Sequence, residues 1–263
     1  MTKTIVLFDM DGTLTEPRGK FDNKKLRDSL YGLTNYGNHI GIITGSDEDY
    51  LRDQMGDFLT NSSCRYKTHL LPCNGTKYFK PPEFANEEHN LVHEVDMESY
   101  LGEKEYRDLL CELVYSQVDA CNLGAPLTGH FINCRGSMVN WCPIGRNANK
   151  KHRQEFIDLD KKLDIRNRII SELREMLKLK KIDNKITIKL GGDTSFDIYP
   201  TGWDKTYGLK HFVGWDVWFV GDRCEKNGND YEIYRACEGK SYKTNSPEKT
   251  IDIIDTITKE LRG

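Results

Sequence analysis

A chain of 263 residues that is 37% hydrophobic, 30% charged and 10% aromatic can build one large core or two smaller ones, and is too apolar for disorder. Its formal net charge of -3 leaves no overall basic footprint of the kind nucleic acid selects, so any positive charge used in function has to be placed locally. No apolar run reaches the roughly 18 residues of a membrane helix, and acidic residues interrupt the first stretch before a signal-peptide core could form.

Thr4–Phe8 (TIVLF) has the pattern of a strand buried on both faces. Asp22 to Tyr36 predicts a helix with Leu26, Leu30 and Leu33 on one side and Gly37 as its stop. His39–Ile43 (HIGII) predicts a second buried strand, followed by a helix that Ser46 or Asp47 can cap and that runs towards Gly56. This alternation is the rhythm of a parallel sheet with crossover helices. The middle of the chain differs. Glu98 to Val118 predicts a helix with Leu109, Leu110, Leu113 and Val114 on its apolar side. Two short strands, Gly129–Asn133 and Ser137–Cys142, flank Arg135-Gly136 like a hairpin. A charged helical stretch from Lys150 to Lys181 is broken near Asp164. Lys185–Leu190 and Thr194–Tyr199 then alternate like half-exposed antiparallel strands.

After Pro200 the first rhythm returns, with a helix over Asp204–Phe212, a buried strand at Val217–Val220 and a helix over Asn229–Cys237. Pro247 opens a final amphipathic helix carrying Ile251, Ile254, Ile257 and Leu261. The expected organisation is a discontinuous core, 1–87 with 200–263, and an inserted cap, 88–199. Eight cysteines (64, 73, 111, 121, 134, 142, 224 and 237) lie scattered without a C-x-x-C pair, so reduced, mostly buried thiols and a cytoplasmic chain are expected.

The strongest chemical signal is Asp9-Met10-Asp11-Gly12-Thr13-Leu14-Thr15, directly after the first strand. In an open parallel sheet, ligands bind beyond the carboxyl ends of the strands. Two carboxylates two residues apart on extended chain can point to one side, and Gly12 permits a sharp exit turn. They repel unless a cation and a phosphate share the site, and oxygen donors of this kind suit magnesium. The string resembles the nucleophile motif of the haloacid dehalogenase superfamily. That resemblance implies an α/β fold: a Rossmann-like core with a parallel sheet, plus an inserted α+β cap domain with an antiparallel sheet. It also implies that Asp9 attacks phosphorus to form an acyl phosphate, and that Asp11 serves as general acid and then base while its backbone carbonyl touches magnesium.

Other superfamily positions follow from the same resemblance. In Ile43-Thr44-Gly45-Ser46-Asp47, Thr44 or Ser46 can cradle phosphate at a helix start. Lys205 would neutralise the phosphate and the nucleophile. Asp222, after the strand in Val220-Gly221-Asp222, would bind magnesium directly, and Asp230 would bind the cation or orient a ligand water.

Arg135, Arg146 and Arg153 cluster in the middle of the chain, and Arg18 follows the nucleophile loop. Guanidinium forks match phosphate oxygens, and a mutase, unlike a phosphatase, has to hold a second phosphate. The segment FINCRGSMVNWCPIGRNANKKHRQEFIDLDKKLDIR closely resembles the cap of eukaryotic phosphomannomutases, and GGDTSFDIYPTGWDKTYGL and Asn74-Gly75 resemble further blocks of that family. The family implies interconversion of α-D-mannose 1-phosphate and mannose 6-phosphate through a hexose 1,6-bisphosphate, which also serves as activator, supplying mannose 1-phosphate for GDP-mannose synthesis. It implies that Arg18, Arg135, Arg146 and Arg153 grip the distal phosphate and sugar, and that Ser195 and Asp197 contact the ring. It further implies a homodimer through the cap, with small hexose phosphates rather than nucleic acid or membrane as partners. One departure is Ala236, where the family places an acidic residue at a further cation site; Arg65–Asn90 fits the family only loosely.

Overall fold

The apolar run at the start of the chain is strand β1 (Thr4–Phe8), in a computed structural model that describes residues 2–262. It leads to α1 (Lys24–Asn35), β2 (His39–Ile43), α2 (Glu48–Met55), the one-turn α3 (Asp57–Asn61), β3 (Thr68–Leu71), β4 (Lys77–Lys80) and β5 (Asn90–Glu94). The chain then forms α4 (Met97–Leu101), α5 (Glu103–Asn122), β6 (Ile132–Cys134), β7 (Val139–Trp141), α6 (Lys150–Leu163), α7 (Ile165–Leu179), β8 (Ile186–Gly191) and β9 (Ser195–Pro200). A 3-10 helix (Lys205–Phe212), β10 (Asp216–Gly221), α8 (Tyr231–Ala236), β11 (Ser241–Lys243) and α9 (Pro247–Arg262) complete it. Two compact units result, one running to Glu94 and resuming at Asp204, the other spanning Val95–Trp203. A cap beginning at residue 88 would split β5 from β4, its antiparallel partner, so the first unit's sheet carries the chain to Glu94.

The first unit holds a seven-stranded sheet in the order β11-β10-β1-β2-β3-β4-β5, parallel from β11 to β3 and antiparallel beyond. Strand side chains alternate between faces. Val6 and Phe8 therefore join Leu26, Leu30, Leu33, Ile254 and Ile257 of α1 and α9 in one core. Ile5 and Leu7 join Phe212 and Ile233 in another on the opposite face. Local signals set the helix ends. The side chain of Asn23 accepts from Leu26 N–H to start α1, and that of Asp47, not Ser46, accepts from Tyr50 N–H to start α2. The expected helix at Asp204–Phe212 is wound as a 3-10 helix, and that over Asn229–Cys237 shortens to α8.

Five of the seven histidines lie in this unit, four of them (His39, His69, His93 and His211) in contact with aromatic rings. His39 Nδ1 lies 3.0 Å from His69 Nε2, His69 Nδ1 lies 2.8 Å from Tyr78 Oη, and His211 stacks on Tyr78 with ring centroids 4.4 Å apart. His89 Nε2 donates to Thr68 O at 3.0 Å. Burial holds His69 down to about 3 and His39 and His89 to about 4. These rings stay neutral in the folded chain while the unfolded chain protonates them from about pH 6.5 downwards. Their contribution is fully present above that pH and is lost as pH falls towards the folded values. His69 and His89, both nearly inaccessible, should each cost on the order of 2 kcal/mol near pH 5. Urea midpoints compared at neutral and at mildly acidic pH should show the loss, and His69→Gln should flatten the slope; equal midpoints would refute it.

The second unit carries a four-stranded antiparallel sheet in the order β6-β7-β9-β8. Val139, Trp141, Phe196, Ile198, Ile186 and Ile188 face a core shared with α5, α6 and α7. Two breaks divide the expected helices: Gly102, at φ +86, separates α4 from α5, and Asp164, at φ 51, separates α6 from α7. The stripe expected on α5 is partly misassigned. Leu109 and Leu113 are buried, but Val114 is 51% exposed, because Glu112 turns inwards instead, with its carboxylate 3.7 Å from Lys180 Nζ.

All eight cysteines are free thiols, five of them buried. No helix among the described residues is long and apolar enough to cross a membrane.

Candidate active site

Alternation along β1 places the residue after Phe8 on the face of Ile5 and Leu7, and Asp9 sits there, 4% exposed, at the carboxyl end of the strand. Its amide donates to Val220 O at 2.9 Å, extending the ladder with β10. The 3-10 helix covers the same face and delivers Lys205, whose ammonium is sealed from solvent at 1% exposure. Lys205 Nζ donates to Asp9 Oδ1 at 2.5 Å and to Asp230 Oδ1 at 2.6 Å. The other oxygen of Asp230 accepts from Arg223 N–H at 3.1 Å, so this buried carboxylate anchors both the lysine and the loop after β10. Asp222 lies on that loop, half-buried.

Two glycines make the assembly possible. Gly12 has φ +82, and a Cβ there would stand 2.5 Å from Asp222 Oδ2. A Cβ on Gly221 would stand 2.6 Å from Asp230 Oδ2. A larger residue at Gly12 would push the loop after β1 away from the β10 loop, and one at Gly221 would displace the Asp230 carboxylate.

Carboxylate oxygens of Asp9, Asp222 and Asp230 all lie within 4.8 Å of one another. Three carboxylates against one ammonium leave an excess of two negative charges in a low-dielectric pocket. Burial, reinforced by Asp230, accordingly pushes Asp9 well above the usual carboxylate range, against the pull of Lys205. Burial and Asp230 likewise push Asp222 up to about 6. Burial alone would lower Lys205, but Asp230 and Asp9 outweigh it and hold the ammonium charged. A hard divalent cation would close this balance, and the oxygen-only donor set suits one.

The carboxylate of Asp11 is not in the cluster. Its Oδ1 accepts from Arg18 N–H at 2.8 Å and from Tyr50 Oη at 3.1 Å, so a part for Asp11 in cation binding would fall to its backbone carbonyl. Thr44 is buried, and its hydroxyl accepts from Ser46 N–H at 3.1 Å, which shapes the turn before α2 and leaves Ser46 only half-buried. Ala236 ends α8 and offers no side-chain oxygen ligand.

In the second unit a second polar group forms on the sheet face opposite the core. Asn140 and Asp197 are direct cross-strand partners. Asn140 Nδ2 donates to Asp197 Oδ1 at 2.8 Å and to Phe196 O at 3.2 Å, while Asn140 Oδ1 accepts from Arg146 Nη1 at 2.9 Å. Arg153 Nη1 donates to Thr194 Oγ1 at 2.7 Å, beside Ser195, whose hydroxyl donates to Gly191 O at 2.5 Å. Arg135 lies at the turn between β6 and β7, its amide donating to Met138 O, and Arg18 is exposed in the first unit. Sequence reasoning missed Tyr50, Asn140 and Thr194. Asn140 had a signal available, since it is the polar residue between the buried Val139 and Trp141, facing the same side as Asp197.

Comparison with known proteins gives a consistent result. A family model described as eukaryotic phosphomannomutase matches residues 26–260. A phosphomannomutase of Encephalitozoon cuniculi (strain GB-M1) is 33% identical over 265 residues, covering 98% of this chain and 95% of that protein. One from Dendrobium officinale is 34% identical over 254 residues, covering 96% and 93%. Among solved structures, an IMP-bound variant of Plasmodium falciparum IMP-nucleotidase superposes with a TM-score of 0.68 at 15% identity, covering 98% of this chain and 67% of that one. Aspergillus fumigatus trehalose-6-phosphate phosphatase gives 0.53 at 16% identity, covering 98% and 93%. These structural likenesses concern the fold, a haloacid dehalogenase-type α/β core with an inserted α+β unit. With a family match over most of its length and full-length relatives at a third identity, the chain belongs to the eukaryotic phosphomannomutase family.

Proposed function

We propose that the chain acts as a phosphomannomutase, interconverting α-D-mannose 1-phosphate and D-mannose 6-phosphate, the former being the precursor of GDP-mannose. The observation that carries this reading is a pair of polar groups: the Asp9–Lys205–Asp230–Asp222 cluster in the first unit, whose carboxylates suit a divalent cation that would bridge to phosphate, and the Arg146–Asn140–Asp197 chain, with Arg153 nearby, in the second. A phosphatase needs one phosphate site; a mutase has to keep hold of a bisphosphate while its two ends exchange.

In this reading Asp9 is the nucleophile and Lys205 offsets charge on both Asp9 and the incoming phosphoryl group. Asp9 forms a bond to phosphorus as the bond from phosphorus to the sugar oxygen breaks, and Asp11 gives that oxygen its proton. In the return step Asp11 takes the proton from the attacking sugar hydroxyl. Asp9 and Asp222, with the Asp11 carbonyl and Asp230 close by, would hold magnesium, which when bound neutralises charge on the phosphoryl oxygens. Ser46, at the start of α2, would contact the transferred phosphate. Arg18, Arg135, Arg146 and Arg153 hold the other phosphate, and Ser195 and Asp197 the sugar hydroxyls. A hexose 1,6-bisphosphate primes Asp9. Val114, Tyr115 and Val118 form an exposed apolar stripe on α5, which supports a homodimer through the second unit; sedimentation of the purified chain measures it.

Phosphorus NMR of the protein with mannose 1-phosphate, magnesium and a trace of bisphosphate should show mannose 6-phosphate growing with little free phosphate. Accumulation of free phosphate alone would make it a sugar-phosphate phosphatase. Arg146→Ala and Arg153→Ala should each weaken hexose-phosphate binding about 10- to 100-fold, the worth of a charge-assisted contact. Both should also raise the phosphate released per turnover, because a loosely held bisphosphate leaves phosphorylated Asp9 to water. An unchanged affinity and product ratio in both variants would remove these arginines from the site.

A further inference from the structure

We propose that Tyr50 is a positioning residue for Asp11, and that it couples the loop before α2 to the acid–base step. The inference rests on the acid–base reading of Asp11. Tyr50 Oη and the Arg18 amide both donate to the same carboxylate oxygen, Asp11 Oδ1, at 3.1 and 2.8 Å. One carboxylate oxygen offers about two lone-pair positions. With both engaged, Oδ1 is held in place and the second oxygen is presented in one direction.

The backbone beneath Asp11 is already rigid. Met10 O accepts from the amides of Thr13, Leu14 and Thr15, and Gly12 N–H donates to Thr15 O at 2.7 Å. What freedom remains to Asp11 is rotation of its side chain, and the two donors remove it. The Arg18 amide reaches Asp11 from a residue with φ 63, so the loop that returns towards Asp11 is itself bent to make the contact.

Tyr50 is well placed to transmit order. It lies in the first turn of α2, where its amide donates to the capping Asp47 Oδ1 at 3.0 Å, and its ring packs, partly buried, against the apolar core under the sheet. The residues just before that cap are Thr44, Gly45 and Ser46, the proposed phosphate cradle. A single side chain thus ties the element that would bind phosphate to the carboxylate that would move the proton. Proton transfer demands tight placement of the acid, and displacements near 1 Å cost on the order of 10²-fold in rate.

The test separates proton transfer from everything else the site does. When a hexose phosphate phosphorylates Asp9, the leaving sugar oxygen needs a proton from Asp11. When p-nitrophenyl phosphate does so, the same oxygen–phosphorus bonds form and break, but nitrophenolate departs without a proton. Tyr50→Phe, which removes a single hydroxyl, should therefore lower kcat for hexose phosphate about tenfold with KM little changed. The rapid burst of nitrophenolate measured by stopped flow should fall less than twofold. In an Asp11→Asn background the same substitution should cost no further hexose-phosphate turnover, since the residue it positions is gone. Equal losses with both donors, or a full further loss in the Asp11→Asn background, would make Tyr50 merely structural. No loss at all in Tyr50→Phe overturns the proposal on its own, whereas undiminished hexose-phosphate turnover in Asp11→Asn overturns the acid–base reading beneath it.

Discussion

Asp9→Asn should abolish turnover, by on the order of 10⁵-fold, because an amide oxygen cannot form the acyl phosphate on which both half-reactions of the proposed mechanism depend. The same change should leave the fold intact and raise its melting temperature in the presence of a chelator. Asp9 is one of three carboxylates facing a single ammonium, and in the metal-free protein a neutral side chain of the same shape relieves that crowding. Activity and stability therefore oppose each other at this position, as they often do where a site concentrates like charge. Turnover of the purified variant and its thermal melt are the two measurements. Wild-type turnover would falsify the nucleophile assignment, and a marked drop in melting temperature would show that the carboxylate is better compensated than the geometry indicates.

Lys205→Met should cost about 3–5 kcal/mol of stability and around 10³-fold in turnover. The ammonium is buried between Asp9 and Asp230 at 2.5 and 2.6 Å, so its removal leaves two carboxylates facing each other without a counter-charge. Breaking a buried ion pair by deleting one partner is costly for this reason. In the proposed mechanism the loss in rate reflects a missing fixed charge beside the reacting phosphoryl group. Adding Asp230→Asn to Lys205→Met should restore part of the stability and none of the activity, since it relieves the repulsion without returning the cation. A Lys205→Met protein that melts like the wild type would mean that the carboxylates relax apart, and the double variant would then gain nothing.

Much of the architecture was legible because it depends on local pattern. TIVLF and HIGII read as strands buried on both faces, and a motif read at a strand end lands where a parallel sheet gathers its ligands, which is why Asp9 could be nominated; Lys205 and Asp222 came from the superfamily resemblance. The break expected near Asp164 is where α6 ends and α7 begins. What remained hidden depends on tertiary partners. Periodicity shows that α5 has apolar stripes but not which one a neighbour covers, so Val114 was assigned inwards while the buried Glu112 went unnoticed. Tyr50 resembles any tyrosine in a polar helix until the loop after β1 folds back to place Asp11 beside it. Asp230 was read as binding the cation or orienting a ligand water, and only the fold reveals that its two oxygens serve Lys205 and the Arg223 amide.

The position of β1 between β2 and β10 also governs the order in which the protein can be made. Asp9 leaves the ribosome well before the lysine that holds it, which follows 196 residues later. Until β10 emerges, one side of β1 is an open strand edge with unpaired amide and carbonyl groups. Val95–Trp203, being continuous in sequence, has all its own strands available before that point. The nascent chain thus reaches its late stages with a completed insert and an unfinished catalytic sheet, and the segment from Asp204 onwards closes both the sheet and the site in one event. Contacts of such long sequence separation form slowly, so the nascent first unit depends longest on protection from aggregation at the edge that will later carry Val217 to Val220.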